Sequence, residues 1–178
     1  MRKYVVICCL LFASLPAKAQ YTAVRVNALS WATGTMNVGV DVAVSDKWSV
    51  DLSGYWNPID GDNLRFRILS ATVGVRRWRF EPHVGFFYGV HTTVTKYKIG
   101  NSHKRYNGWM AGIGSSVGYS WMLSHRWNIT LEGGLGFYWM DDVLWPPHSG
   151  GADDILLKHY KRLVLAPSKV ELSFSYLF

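Results

Sequence analysis

The chain has 178 residues, a formal net charge of +7, and 49% hydrophobic and 15% aromatic residues. Three of its basic residues fall within the first 19 positions. No basic tract is interleaved with a groove-reading motif, which argues against nucleic-acid binding. Both cysteines, Cys8 and Cys9, lie in that same early stretch, so the remainder offers no disulfide, thiol catalyst or cysteine-metal site.

Residues Met1 to Ala19 read as a secretory signal peptide. Arg2 and Lys3 give the positive end, Tyr4 to Leu15 the apolar stretch, and Ala17-Lys18-Ala19 a small-x-small cleavage site before Gln20. The run is shorter than the roughly 20 apolar residues of a spanning helix. Cys8 and Cys9 sit too early in it for a lipoprotein anchor. The predicted organisation is therefore a signal peptide over 1–19 and one domain over 20–178. No later apolar run approaches spanning-helix length. A membrane location would then demand a closed barrel, because open sheet edges are untenable in lipid.

Eight alternating segments follow, matching the roughly 9–11 residues of a tilted membrane strand. The first is Tyr21 to Trp31, with Val24, Val26 and Ala28 opposite Arg25 and Asn27. Met36 to Val44 sets Met36, Val38, Val40, Val42 and Val44 against Asn37, Gly39, Asp41 and Ala43. After the turn Ser45-Asp46-Lys47, Trp48 to Asn57 resumes the pattern, and pairing Val44 with Trp48 keeps the apolar faces together. Pro58 to Arg65 reads as a polar loop. The fourth strand runs to about Trp78, with Leu69, Ala71, Val73 and Val75 against Ser70, Thr72, Gly74 and Arg76. The fifth sets Val84, Phe86, Tyr88 and Val90 against His83, Gly85, Gly89 and His91. Thr95 to Asn107 reads as a basic loop. The sixth strand is Gly108 to Met122 and the seventh Trp127 to Trp139, each with a Gly/Ser-rich face. A long loop from Met140 to about Pro167 precedes the closing strand.

That closing strand alternates cleanly. Val170, Leu172, Phe174, Tyr176 and Phe178 share one face, and Glu171, Ser173 and Ser175 the other. A terminal aromatic with apolar residues at every second position before it is similar to the signal that the barrel-assembly machinery reads. Connections alternate between tight turns and longer loops, apart from a short first loop at Ala32 to Thr35, as in bacterial outer-membrane barrels. Trp48, Trp78, Trp121 and Trp127 fall at the tight-turn ends, and Trp31, Trp56, Trp109 and Trp139 at the loop ends. These positions predict two aromatic girdles at the membrane interfaces. The fold class predicted is all-β, an eight-stranded antiparallel up-and-down transmembrane barrel. The competing reading is a soluble lipocalin-like barrel with its apolar face turned inward. It would leave a glycine-rich face exposed and the tryptophan positions unexplained.

With eight strands the interior is expected to hold side chains rather than an open channel. The inward set predicts a lumen ion network of Arg25, Asp41, Asp51, Arg76, Glu132, Lys169 and Glu171. Asp41 faces Asp51 directly, an unfavourable pair unless a cation sits between them. Arg25 or Lys169 is expected to supply it.

Few residues suggest chemistry. His83 and His91 share a face but lie on the order of 26 Å apart along a strand, too far to share a metal. His103, His148 and His159 are loop residues and no metal or cofactor is predicted. Ser124-His125 and His148-Ser149 are sequence neighbours only, which does not make an oriented nucleophile and base. Lys96, Lys98, Lys104 and Arg105 could meet lipopolysaccharide phosphates, or simply be solvated. In the last loop, Asp153-Asp154 before Ile155, Leu156, Tyr160 and Leu163 fits a short capped helix, or strand prolonging the final hairpin. The apolar Leu156, Leu157, Val164 and Leu165 suggest packing against another loop or a partner.

Several motifs resemble a family. They are Asn27-Ala28-Leu29, Asn37-Val38-Gly39-Val40, Trp48-Ser49-Val50-Asp51-Leu52-Ser53-Gly54, Arg105-Tyr106-Asn107-Gly108-Trp109, Gly118-Tyr119-Ser120-Trp121, Trp127-Asn128-Ile129 and the ending Tyr176-Leu177-Phe178. Together they resemble an uncharacterised domain-of-unknown-function family of small outer-membrane barrels in Bacteroidota, often encoded near fimbrillin-type genes. More distantly the architecture is similar to OmpX and OmpA membrane domains. The resemblance implies no activity and transfers no functional residue. The expected function is structural or surface-interacting, with outer loops meeting lipopolysaccharide or an extracellular partner. The family's usual gene setting adds fimbria assembly or anchoring as an expected role. The alternative is a lipid A deacylase or acyltransferase.

Overall fold

The computed structural model describes residues 22–61, 64–101, 105–145 and 159–178. Eight strands follow one another: β1 (Thr22–Asn27), β2 (Met36–Ser45), β3 (Trp48–Asp60), β4 (Leu64–Trp78), β5 (Gly85–Asn101), β6 (Arg105–Ser124), β7 (Trp127–Trp145) and β8 (His159–Leu177). A short helix, α1 (Ala28–Ala32), follows β1. Each strand pairs antiparallel with its chain neighbours, and β8 returns to pair with β1, closing a barrel. Closure removes the sheet edge along the β1–β8 seam, while β8 above Ser173 is laddered to β7 alone. The seam is in register from Ala23↔Leu177 to Asn27↔Ser173. Among the described residues no helix is long and apolar enough to cross a membrane.

The first predicted strand is too long. Asn27 Oδ1 accepts the Leu29 amide at 3.0 Å and caps α1, so the chain leaves the sheet at Asn27. Asn and Asp favour this position because their side chains satisfy an amide that the first helical turn leaves unpaired. Most predicted loops are too long instead. Of Pro58 to Arg65, strand β3 holds Pro58 to Asp60 and β4 holds Leu64 and Arg65; of Thr95 to Asn107, β5 runs to Asn101 and β6 starts at Arg105; of Met140 to Pro167, β7 runs to Trp145 and β8 starts at His159. The reason is visible in β5. Thr93, Thr95 and Tyr97 are buried while Thr92, Val94 and Lys96 are exposed, so period two continues where hydrophobicity no longer reports it. Val164 and Leu165 belong to the β8 extension, whereas Asp153, Asp154, Ile155, Leu156 and Leu157 lie outside the described residues.

Three irregularities bend the wall. Ser45, not Val44, pairs with Trp48, and the ladder shifts between Ala43 and Ser45. A similar shift lies between Met122 and Ser124 at the next tight turn. The third faces Gly134 and Leu135, where Lys169 and Pro167 are the partners and Ser168 is left over. A bulge of this kind re-aims a side chain. Here it reverses the parity of β8, so Ser168 and Lys169 both turn inward.

The partition of residues is inverted relative to a water-soluble domain. The interior is mostly polar and charged, while Val38, Leu52, Val90, Ile113, Leu135 and Val170 stand exposed on the outer wall. Val90 and Ile113 are each 65% exposed, near the middle of their strands. On β8, Val170, Phe174 and Phe178 are exposed and Leu172 and Tyr176 half-buried on that same wall, while Glu171, Ser173 and Ser175 are buried.

Candidate functional site

Alternation brings seven charged side chains from six strands to one level of the lumen. Arg25 of β1 pairs with Asp51 of β3, and lies 3.5 Å from Glu171 and 3.8 Å from Glu132. Arg76 of β4 pairs with Asp41 and Glu132 and reaches Asp51 at 3.5 Å. Lys169 donates to Asp51 at 2.6 Å and lies 3.2 Å from Glu132. Asp41 and Asp51 are directly opposite in the β2–β3 register. Both Arg25 and Lys169 reach Asp51, while Arg76 neutralises Asp41. Ser116 Oγ donates to Glu132 at 2.6 Å, and Tyr55 Oη donates to Glu171. Arg25, Arg76 and Lys169 thus cross-link strands from all round the barrel. Removing one partner from such a buried network strands the others unpaired, which costs more than the pair contributes.

Below the charges, toward the tight turns, the lumen is filled by rings. Trp78 is 2% exposed, its Nε1 donating to Ser49 Oγ at 2.8 Å. Its ring lies 4.5 Å from Phe87 and 5.6 Å from His83, and Arg76 sits over Phe87 at 4.9 Å. Gly118 makes the room, since a Cβ there would stand 2.4 Å from Phe87 Cζ. Trp78 therefore does not belong to an outer girdle. It has the same parity as Arg76, and an inward Arg76 obliges an inward Trp78. Of the other predicted girdle tryptophans, Trp48, Trp56, Trp109, Trp121, Trp127 and Trp139 are exposed on the outer wall, and Trp31 is exposed on the short helix α1. Phe87 is absent from the predicted lumen set because its neighbours Phe86 and Tyr88 carry the aromatic signal outward. Its shared parity with His91 is the sequence signal that places it inside.

Above the charges the lumen opens into a cavity of about 670 Å³. Its wall carries hydroxyls, with Thr72 and Thr93 at 3.0 Å and Ser70 and Thr95 at 2.7 Å, joined by Tyr55, Tyr138 and Ser168. Ile68, Met110, Met140 and Val164 line its upper part, and Arg162 at the mouth donates to Asp142 at 2.8 Å. The interior is thus plugged in one half and hollow in the other, where strand number alone predicts filling throughout. His91 is buried beside this floor, and both its Nε2 and Ser168 Oγ lie 2.7 Å from where a Cβ on Gly114 would stand. No three His, Cys, Asp or Glu side chains among the described residues are arranged to hold a metal.

The remaining predicted sites are dispersed. Ser124 and His125 are exposed at the tight turn after β6. His103, Lys104, His148 and Ser149 lie outside the described residues, as does all of 1–21, and the side chains of Arg105 and His159 are not described. Lys96 and Lys98 project from the outer wall of β5. Arg67, assigned to no site by the sequence, stands opposite Lys98 on β4.

A family profile described as "Protein of unknown function (DUF3575)" matches residues 5–178. No curated protein and no solved structure matches the chain.

Proposed function

The chain belongs to the DUF3575 family of proteins of unknown function, and from its geometry we propose that the mature chain is a small outer-membrane β-barrel with a structural and surface-interacting role. One observation carries this reading: a closed barrel turns valine, leucine and tryptophan outward and buries aspartate, glutamate and arginine. In water such a wall would be a contiguous apolar surface far larger than the few hundred Å² that monomeric soluble proteins expose. In a bilayer it is the required face, and the closed seam pairs backbone groups of β1 and β8 that lipid could not satisfy. The tight turns then face the periplasm and the long hairpins β3–β4, β5–β6 and β7–β8 reach outside. The signal peptide delivers the chain, and the alternating β8 end engages the barrel-assembly machinery.

The working surface in this reading is the loop end, where the cavity opens and the strand extensions stand clear of the apolar band. Lipopolysaccharide and an extracellular protein are the proposed partners. A fimbrial partner is suggested by family resemblance rather than by any contact surface. Catalysis is not part of the proposal. Lipid A mass spectra from cells with and without the gene are expected to be identical; a lost or gained acyl chain would instead favour the lipid A-modifying enzyme.

The experiment is replacement of residues 140–166 by a short turn, with fractionation, surface adhesion and fimbriation as readouts. The shortened protein is expected to remain in the outer membrane while adhesion or fimbriation falls. Retention of both surface properties would exclude that hairpin as the working surface. Recovery of the intact chain as a soluble protein would overturn the membrane reading itself.

A further inference from the structure

The outward face of β4 is bracketed by cations. From loop end to turn end it reads Arg67, Leu69, Ala71, Val73, Val75, Arg77, every second residue of one strand. Arg67 and Arg77 are separated by roughly 33 Å along the strand, or about 25 Å along the axis at the usual tilt of a barrel strand. That equals the height of the apolar band on membrane barrels, about 25 Å. The two arginines therefore stand at the two headgroup levels. At the turn end Arg77 is placed over the Trp48 ring, 5.8 Å away.

At the loop end the cations converge. Register sets Arg67 beside Lys98 and Leu69 beside Lys96, all on the outer wall. A groove of about 260 Å³ runs between them, bounded by Trp56 and Leu69 on its lower side. Asp60 is the nearby carboxylate, 3.8 Å from Arg67. It is already engaged by Arg65, whose Nε and Nη2 both donate to it, and that hydrogen bond holds the carboxyl below its usual range. No salt bridge occupies Lys96 or Lys98 among the described residues. Asp141 on β7 and Lys161 on β8 face each other in register.

We propose that the groove formed by Arg67, Lys96 and Lys98 binds a phosphate group of a membrane lipid at the loop-end headgroup level, with Trp56 and Leu69 against the lipid's apolar part. The inference rests on the membrane reading above. Cations supply the charge-assisted contacts that phosphate oxygens accept. Two exposed cations and the half-buried Lys98 hold free phosphate weakly, because solvent screens each pair. An anion tethered to acyl chains lying on the same wall is presented at high effective concentration. The chemistry thus selects an amphiphile over a soluble anion.

The test uses the full mature chain in zwitterionic detergent, with lipid binding read by native mass spectrometry. The probes are bisphosphorylated lipid A, the same lipid after enzymatic dephosphorylation, and inorganic phosphate. We expect about tenfold weaker binding of the bisphosphorylated lipid to a variant carrying Arg67→Gln, Lys96→Gln and Lys98→Gln, three weak ion pairs summing to that order. Binding of the dephosphorylated lipid should not change, and a Lys161→Gln control should bind as the parent does. Heat-dependent gel mobility establishes that the variant is folded. Equal binding by parent and variant would overturn the site, as would an equal loss for both lipids. Full displacement of the lipid by millimolar inorganic phosphate would assign the groove to the free anion instead. If the parent chain does not insert into liposomes, the membrane reading fails; if it inserts but the variant binds normally, only the groove fails.

Discussion

The two halves of the lumen are built on different rules. Toward the tight turns, the lumen holds the packed rings of Trp78 and Phe87 and the network of Arg25, Arg76 and Lys169 with four carboxylates. Toward the long hairpins, hydroxyls and, higher up, apolar side chains such as Ile68, Met110 and Met140 line an open cavity of about 670 Å³. Packed interiors lose stability when any member is removed, whereas a solvated wall tolerates change because water replaces the lost contact. The turn half is therefore where the barrel's stability is concentrated, and the loop half is where the sequence is free to specify interaction.

Arg76→Ala is expected to have the largest effect, since it leaves Asp41 and Glu132 without their main cation. A loss of roughly 3–5 kcal/mol is expected from breaking such a buried network, read from urea unfolding of the refolded barrel by tryptophan fluorescence. Trp78→Ala should follow closely, at about 3–4 kcal/mol for an aromatic core truncation. It should also leave planar-bilayer conductance near zero, because the charge network above still blocks the lumen. Gly118→Ala forces a Cβ against Phe87 and the Leu131 carbonyl, and overpacking of this kind costs about 1–3 kcal/mol. Thr93→Val, in the open half, removes the hydroxyl contacts to Thr72 and Tyr138. It should cost no more than about 1 kcal/mol. If Thr93→Val proves as damaging as Trp78→Ala, the contrast between the halves is wrong.

Much of this architecture is legible in the residues themselves. Period two puts Arg25, Asp41, Asp51, Arg76, Glu132, Lys169 and Glu171 on inward positions, and the fold gathers those seven at one level. Eight antiparallel strands follow from the same alternation. Three things are not legible. Hydrophobicity marks strand ends too early, so the polar extensions of β5, β6, β7 and β8 look like loops. Residue type and proximity to a turn put Trp78 in an outer girdle, and only its parity with Arg76 puts it inside. The bulge at Ser168 is marked locally only by Pro167, which cannot donate to a ladder, and its register shift exists only in the pairing of β8 with Gly134 and Leu135. Pairing is a property of two segments, and one segment read alone does not contain it.

The central claim is that the valine-rich wall meets acyl chains. No cysteine follows Cys9 in the chain, so single cysteines at positions 69 to 75 of β4 can each carry a nitroxide without background. In liposomes, Leu69→Cys, Ala71→Cys, Val73→Cys and Val75→Cys should be accessible to oxygen and shielded from a water-soluble nickel chelate. Ser70→Cys, Thr72→Cys and Gly74→Cys should lack that oxygen signature. Collision with the chelate at positions 69, 71, 73 and 75, equal to that of a free aqueous spin label, would contradict the account.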